Sequence, residues 1–197
     1  MKRLILGAVL FAILATPVAA GPYEDAFAAY KSGAYLTALT LWRPLANQGN
    51  VHAQYGLGTM YDNGQGVPQD YAETVKWYRT AADQGNAYAQ YNLGIMYANG
   101  QGVPQDYATA VKWFRKAADQ GNANAQHNLG VMYDNGDGVP QDFVEAHKWY
   151  NLAAARATDK ETRDIGIHNR DLVAVKMTPA QIAEAQKLAR QWKPKSL

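Results

Sequence analysis

The sequence predicts an all-α protein built as a solenoid of antiparallel helical hairpins. A unit of 36 residues occurs three times in register, and its first two copies share 27 of 36 residues without a gap. Each unit contains two segments whose apolar residues recur at helical spacing. A glycine-rich connector, YDNGQGVPQDY in the first copy, separates the two segments. Because one hairpin cannot bury its apolar face alone, such repeats stack on one another around a shared core.

The first element is a leader at residues 1–20. Lys2 and Arg3 precede a short apolar run, and small residues at Val18 and Ala20 form a cleavage pattern. These features are typical of a secretory signal peptide. The apolar run is shorter than the roughly 20 residues that a membrane-spanning helix needs. We therefore expect cleavage after Ala20, an exported protein in the periplasm or outside the cell, and no stable membrane insertion afterwards.

Loss of the leader also changes the charge balance. The chain has 19 Lys and Arg against 17 Asp and Glu, and two of the basic residues lie in the leader, so the remainder is formally neutral. Neutrality gives no support to a nucleic-acid partner. There are no cysteines, so an exported form must be stabilised by packing rather than by disulfides.

Residues 21–50 form the next element, a degenerate helical hairpin. Here Trp42 and Gly49 are placed much as Trp77 and Gly85 are placed in the first full copy. The copies themselves cover residues 51–86, 87–122 and 123–158.

Within each copy, polar residues mark the helix starts. Asn50, Asn86 and Asn122 are the expected N-caps of the first helices, and Asp70 is the expected N-cap of a second helix. Glu73 and Glu145 stand three positions after such a cap, which predicts a capping box. Three further sets are expected where helices pack closely: glycines within the first helices, paired alanines, and recurring tryptophans in the core. They are Gly58, Gly94 and Gly130; Ala81–Ala82, Ala117–Ala118 and Ala153–Ala154; and Trp77, Trp113 and Trp149.

The last element, residues 159–197, is predicted to contain capping helices. The segment 157–177 departs from the repeat and is expected to be a modified helix. Thr178, Pro179 and Gln181 mark the start of a closing helix. Its apolar stripe is predicted to cover the end of the last repeat; it comprises Ile182, Ala185, Leu188, Ala189 and Trp192.

The connector lacks the residues that a ligand loop requires. Asp62 and Glu73 have the spacing of the first and last ligands of a calcium loop, but Val67 stands where that loop needs glycine. A phosphate loop would need a lysine, and Asp70 occupies the helix start where an anion would bind. We therefore expect a turn, with no metal ion and no cofactor.

The strings LGTMYDNGQGVPQDY and VKWYRTAADQGN, with their two further copies, closely resemble the SLR (Sel-one-like repeat) family, relatives of tetratricopeptide repeats. The resemblance is strong over 51–155 and weak over 23–50. It implies a right-handed superhelix in which one face of each first helix lines a concave groove. The closing helix also resembles that of exported bacterial members of the family.

Comparison of the three copies separates a constant side of the first helix from a variable side, which we call the groove face. The groove face consists of His52, Tyr55, Thr59 and Asp62; Tyr88, Tyr91, Ile95 and Ala98; and Asn124, His127, Val131 and Asp134. Its mixture of aromatic, amide and aliphatic groups suits recognition of a protein or peptide. The alternative is neutral variation on a solvated face.

No catalytic residues are expected. Outside the leader the only serines are Ser32 and Ser196, and a hydrolase would have to rely on Asp62, Asp134 or His127. The histidines lack metal-ligand spacing and are expected at the surface or half-buried; they are His52, His127, His147 and His168. The predicted function is a non-enzymatic adaptor or regulator of the bacterial cell envelope. The alternatives are peptidoglycan or glycan binding and, least favoured, a hydrolase. Oligomeric state stays open.

Overall fold

The structure is a computed structural model that describes residues 21–195, so the predicted leader lies outside the described part. The described chain contains ten helices. They are α1 (Pro22–Lys31), α2 (Tyr35–Asn47), α3 (Val51–Asn63), α4 (Tyr71–Asp83), α5 (Ala87–Asn99), α6 (Tyr107–Asp119), α7 (Ala123–Asn135), α8 (Phe143–Arg156), α9 (Lys160–Ala174) and α10 (Pro179–Gln191).

The predicted all-α solenoid is confirmed. From α1 to α9 each helix packs against the next helix of the chain, and no strand occurs between residues 21 and 195. The odd-numbered helices α3, α5 and α7 are the first helices of the three repeats, and α4, α6 and α8 are the second. The final helix departs from this order because α10 packs on α8 rather than on α9.

The predicted caps explain why the repeats keep one register. Asn86 Oδ1 accepts from the amide of Ala89 at 2.9 Å, and Asn50 and Asn122 make the equivalent bond. Asp70 accepts from the first-turn amides of α4. The predicted capping box is wrong: Glu73 and Glu145 instead pair with Lys76 and Lys148 three positions on, within the same helix. Such i,i+3 pairs compete directly for the glutamate side chain.

Each hairpin packs closely because glycine in the first helix faces a ring in the second. A methyl group at Gly94 would lie 2.6 Å from the Phe114 ring, and Gly58 and Gly130 meet Tyr78 and Tyr150 in the same way. The alanine pairs are buried beside these rings. Close packing of this kind gives one continuous row of apolar clusters along the solenoid.

The connector forms a turn that touches the preceding hairpin. Gly100 ends α5 in the left-handed conformation at φ 70°, and Gly102 also has a positive φ. A side chain at Gly102 would come within 2.3 Å of the Tyr71 carbonyl oxygen. The connector glycines are therefore needed for packing between repeats as well as for the turn.

The upstream hairpin requires a correction. Trp42 stands 36 positions before Tyr78, so it is equivalent to the ring that faces the first helix and not to Trp77. The contacts agree, because Trp42 is buried and its ring lies 5.3 Å from that of Tyr30 in α1, the first helix of the same hairpin. The error arose from matching one tryptophan to another instead of keeping the spacing to Gly49.

Candidate functional site

The groove face lies on α3, α5 and α7, and the identical caps of these helices place equivalent residues at equivalent heights. In the first repeat His52 is exposed and Tyr55 is half-buried. The Tyr55 ring lies 5.7 Å from the Tyr78 ring and 6.1 Å from the Tyr88 ring of the next repeat. Thus Tyr55 and Tyr88 form an aromatic contact that crosses from one repeat to the next.

In the first repeat, two polar residues of the groove face, Thr59 and Asp62, lie next to Tyr78. The Thr59 hydroxyl donates to the Tyr55 carbonyl oxygen at 3.1 Å and lies 3.4 Å from the Tyr78 hydroxyl. Burial raises the pKa of Asp62, and a hydrogen bond from Tyr78 partly opposes this shift. Burial also raises the pKa of Tyr78 far above its ordinary value. Tyr78 therefore acts as a neutral hydrogen-bonding group.

In the second repeat the groove face presents an exposed aromatic ring and adjoins a cavity. Tyr88 is 64% exposed, whereas Tyr91 is half-buried with its ring 6.0 Å from that of Phe114. Ile95 and Ala98 line a cavity of about 350 Å³ together with Val131 of the third repeat. The other residues around this cavity are Asn99, Tyr107, Phe114, Asn128 and Met132.

In the third repeat a later segment partly closes the groove face. Asn124 is exposed, but Asp134 forms an ion pair with Lys176 at 2.7 Å. Val131 packs on the cluster of Tyr150 and Val173. Lys176 directly follows α9, so the C-terminal part of the protein covers the end of the predicted groove.

One of the two histidines of the third repeat is more buried than expected. His127 is half-buried, its ring lies 5.5 Å from Tyr150, and burial lowers its pKa. His147 is almost fully buried, which corrects the expectation of a surface or half-buried imidazole. The reason is that α9 packs along α8 and covers this position. Neither Nδ1 atom has a hydrogen-bond partner within residues 21–195.

A second cavity, of about 220 Å³, lies at the N-terminal end of the groove face. Tyr23, Phe27 and Tyr30 of α1 enclose it together with Trp42, and His52, Tyr55 and Thr59 complete its wall. The three α1 residues are not among those predicted from the sequence. Their spacing of four and three positions on one helical face was the available signal.

The groove face offers aromatic, amide and aliphatic surface with few charges. Over the described range 21–195, no group of three His, Asp or Glu residues is arranged to hold a metal ion. Among those residues, too, no helix is long and apolar enough to cross a membrane.

The fold defines an α-solenoid repeat protein. The family model for the Sel1 repeat matches residues 51–86, 87–122 and 123–157. The chain belongs to the Sel1 repeat family, whose repeats typically mediate interactions between proteins.

The solved structures that are similar to the chain include the following two. One is a Sel1 repeat protein from Oxalobacter formigenes, with 31% identity and a TM-score of 0.67 over 85% of this chain and 74% of that one. The other is c5321, a protective antigen present in uropathogenic Escherichia coli strains that displays an SLR fold; it has 29% identity and a TM-score of 0.60. That match covers 87% of this chain but only 44% of c5321, so the chain spans less than half the length of that protein. The comparison with curated proteins found no match.

Proposed function

We propose that the protein is an exported, non-enzymatic adaptor or regulator of the bacterial cell envelope that binds a protein or peptide segment along the groove face. The observation that carries the proposal is the aromatic contact between Tyr55 and Tyr88, which continues the face across a repeat boundary next to the 64% exposed ring of Tyr88. A large, rigid and exposed aromatic group is the kind of residue that contributes most to an interface.

The chemistry around Tyr88 favours a polypeptide. The half-buried Asn92 and Asn128 present amide groups on the same helices, and an amide can both donate to and accept from a peptide backbone. The cavity beside Ile95 and Val131 is large enough for an apolar side chain. An extended segment could therefore bond through its backbone and place a side chain in this cavity.

Site-specific photocrosslinking tests the proposal. A photoreactive phenylalanine replaces Tyr88 in the protein expressed in its own cells, and the matched control carries the same group at Leu36, an exposed apolar residue of α2. We expect a discrete crosslinked protein from position 88 only. When the photoreactive group is placed at Ile95 instead, the same protein should be crosslinked, and Tyr88→Ala should reduce the amount of this product. Equal products from positions 88 and 36 would refute the groove assignment.

Export is tested separately. We expect N-terminal sequencing of the protein from a periplasmic fraction to begin at Gly21. A protein recovered only from the cytoplasm with residues 1–20 intact would contradict export without bearing on the groove face.

Glycan binding is a second candidate, favoured by the aromatic cavity formed by Tyr23, Phe27 and Tyr30, since sugars stack on such rings. Co-sedimentation with purified peptidoglycan that is lost on Phe27→Ala would support it. A hydrolase is the least supported alternative because Asp134 pairs with Lys176 and the His127 ring is half-buried.

A further inference from the structure

The chain binds its own C-terminal segment at the ends of two second helices. This segment, Trp192–Lys195, is called the tail below. The Lys195 amide donates to the carbonyl oxygen of Asp119 at 2.8 Å, and Lys195 Nζ lies 2.6 Å from Asp119 Oδ2. The guanidinium of Arg156 lies 4.5 Å from the centre of the Trp192 ring. The tail is thus held by the last residue of α6 and the last residue of α8.

The position one repeat upstream is an open cavity. Because the repeat is 36 residues long, Asp119 and Arg156 correspond to Asp83 and Gln120. Both of these residues line a cavity of about 380 Å³ at the C-terminal ends of α4 and α6. Asp119 and Lys195 also line it, so the cavity adjoins the tail, and no residue between 121 and 194 lines it. The tail therefore occupies the position at the ends of α6 and α8, whereas the equivalent position at the ends of α4 and α6 is open.

The open copy keeps the acceptors that hold Lys195. Asp83 is exposed and forms no ion pair within the described chain. Its carbonyl oxygen, at the end of α4, accepts no hydrogen bond from the described residues. The last carbonyl groups of a helix lack intrahelical partners, so they are available to an incoming amide. A lysine placed here can make the two bonds that Lys195 makes to Asp119.

The open copy has a cation near the position that corresponds to Arg156, although Gln120 occupies that position itself. Lys116, about one helical turn before Gln120, lines the cavity, and its Nζ lies 4.0 Å from the centre of the Trp113 ring. An aromatic group entering the cavity would meet this ammonium in a cation–π contact of the kind that Trp192 makes with Arg156. In the hairpin further upstream the residue equivalent to Asp83 is Asn47, so the carboxylate is missing there.

We propose that the cavity between the ends of α4 and α6 is a second docking site. It binds an extended segment of a partner polypeptide in which an aromatic residue precedes a lysine by three positions, the arrangement of Trp192 and Lys195. The lysine pairs with Asp83, and the aromatic ring lies against Lys116. The site uses the second helices and none of the groove face, so it does not depend on the proposed function.

A fluorescently labelled hexapeptide with the sequence RQWKPK, capped at both ends, tests the site by titration against the protein with its own tail intact. We expect 1:1 binding. The affinity should fall about threefold with Asp83→Asn, which removes the attraction between the two charges, and about tenfold with Asp83→Lys, which replaces it with repulsion. Both effects are modest because the ion pair is exposed. Asp25→Lys, the same change at an exposed acid of α1, should leave binding unchanged. A peptide with glutamate in place of its last lysine should bind at least tenfold more weakly.

Two outcomes would overturn the proposal. One is no saturable binding at millimolar peptide while circular dichroism shows all variants folded. The other is binding that Asp119→Lys abolishes and Asp83→Lys leaves intact, since the peptide would then be displacing the tail from its own position.

Discussion

The first helices of the second and third repeats have equivalent caps and the same length, yet the two repeats differ in how their buried polar atoms are bonded. In the second repeat Gln90 Nε2 donates to the Ala82 carbonyl oxygen, and Gln90 Oε1 accepts from Gln120 at 2.8 Å. Gln54 in the first repeat is bonded equivalently through Gln84. In the third repeat Gln126 makes only the first bond, and its buried Oε1 has no partner within residues 21–195.

The difference has a specific cause. The residue equivalent to Gln120 is Arg156, and its guanidinium stacks on Trp192 instead of bonding to Gln126. Likewise, His147 stands where Val111 stands in the second repeat, and it is covered by α9. The comparison indicates that the third repeat lacks such internal hydrogen bonds where it contacts α9 and α10. No other repeat contacts these two helices as extensively.

The largest expected difference concerns the tryptophans. Trp149 is 1% exposed and its Nε1 donates to Glu145 at 2.8 Å, whereas Trp113 is 8% exposed and Thr109 replaces the glutamate. Trp149→Ala should lower the free energy of unfolding by about 4 kcal/mol and Trp113→Ala by about 3 kcal/mol. Urea unfolding followed by circular dichroism measures both. An equal or larger loss for Trp113→Ala would mean that the Glu145 hydrogen bond and the deeper burial of Trp149 do not stabilise the third repeat.

The glutamines test the comparison directly. Gln90→Leu removes two bonds, the one to the Ala82 carbonyl oxygen and the one from Gln120, so we expect a loss of about 2 kcal/mol. Gln126→Leu removes only one bond and should cost about 1 kcal/mol. Both variants place the same side chain in the same environment, which makes each the control for the other. Equal losses in urea unfolding would show that the unbonded Oε1 of Gln126 has no energetic consequence.

The sequence predicted the features that recur and missed those that occur once. The spacing of Asn50, Asn86 and Asn122 was enough to locate the first helices, because a cap acts locally. The burial of His147 depends on α9, whose position follows from packing and not from the repeat. The α1 aromatics around the N-terminal cavity were missed for the same reason: no second copy existed to reveal their spacing. The groove face itself stays a prediction.

His147 should make stability depend on pH. Burial, and secondly the positive charge of Arg170, lower its pKa, while Asp171 opposes the shift. The unfolded chain therefore binds more protons below about pH 6.5, and stability falls as pH drops through this value toward the lowered pKa of the folded state. His147→Val restores the residue of the other repeats and removes a buried Nδ1 without a partner. We expect a gain of about 1 kcal/mol at pH 7.5 and a larger gain at pH 5.

Urea unfolding at the two pH values measures this gain, and His52→Val serves as an exposed control that should change stability by less than about 0.5 kcal/mol at pH 7.5. A gain that shrinks on acidification would contradict the assignment of the pH dependence to His147.

The smallest single effect is expected at Arg156. Arg156→Gln loses the contact with Trp192, worth about 0.5–1 kcal/mol at an exposed site. It also supplies a side chain that can donate to Gln126 Oε1, as Gln120 donates to Gln90, so the two contributions nearly cancel. The effect becomes visible in a double-mutant cycle, because Gln126→Leu should cost about 1 kcal/mol more in the Arg156→Gln background than in the original chain. A coupling near zero would mean that Arg156 is not the reason for the unbonded glutamine, and that another feature of the third repeat keeps position 156 away from Gln126.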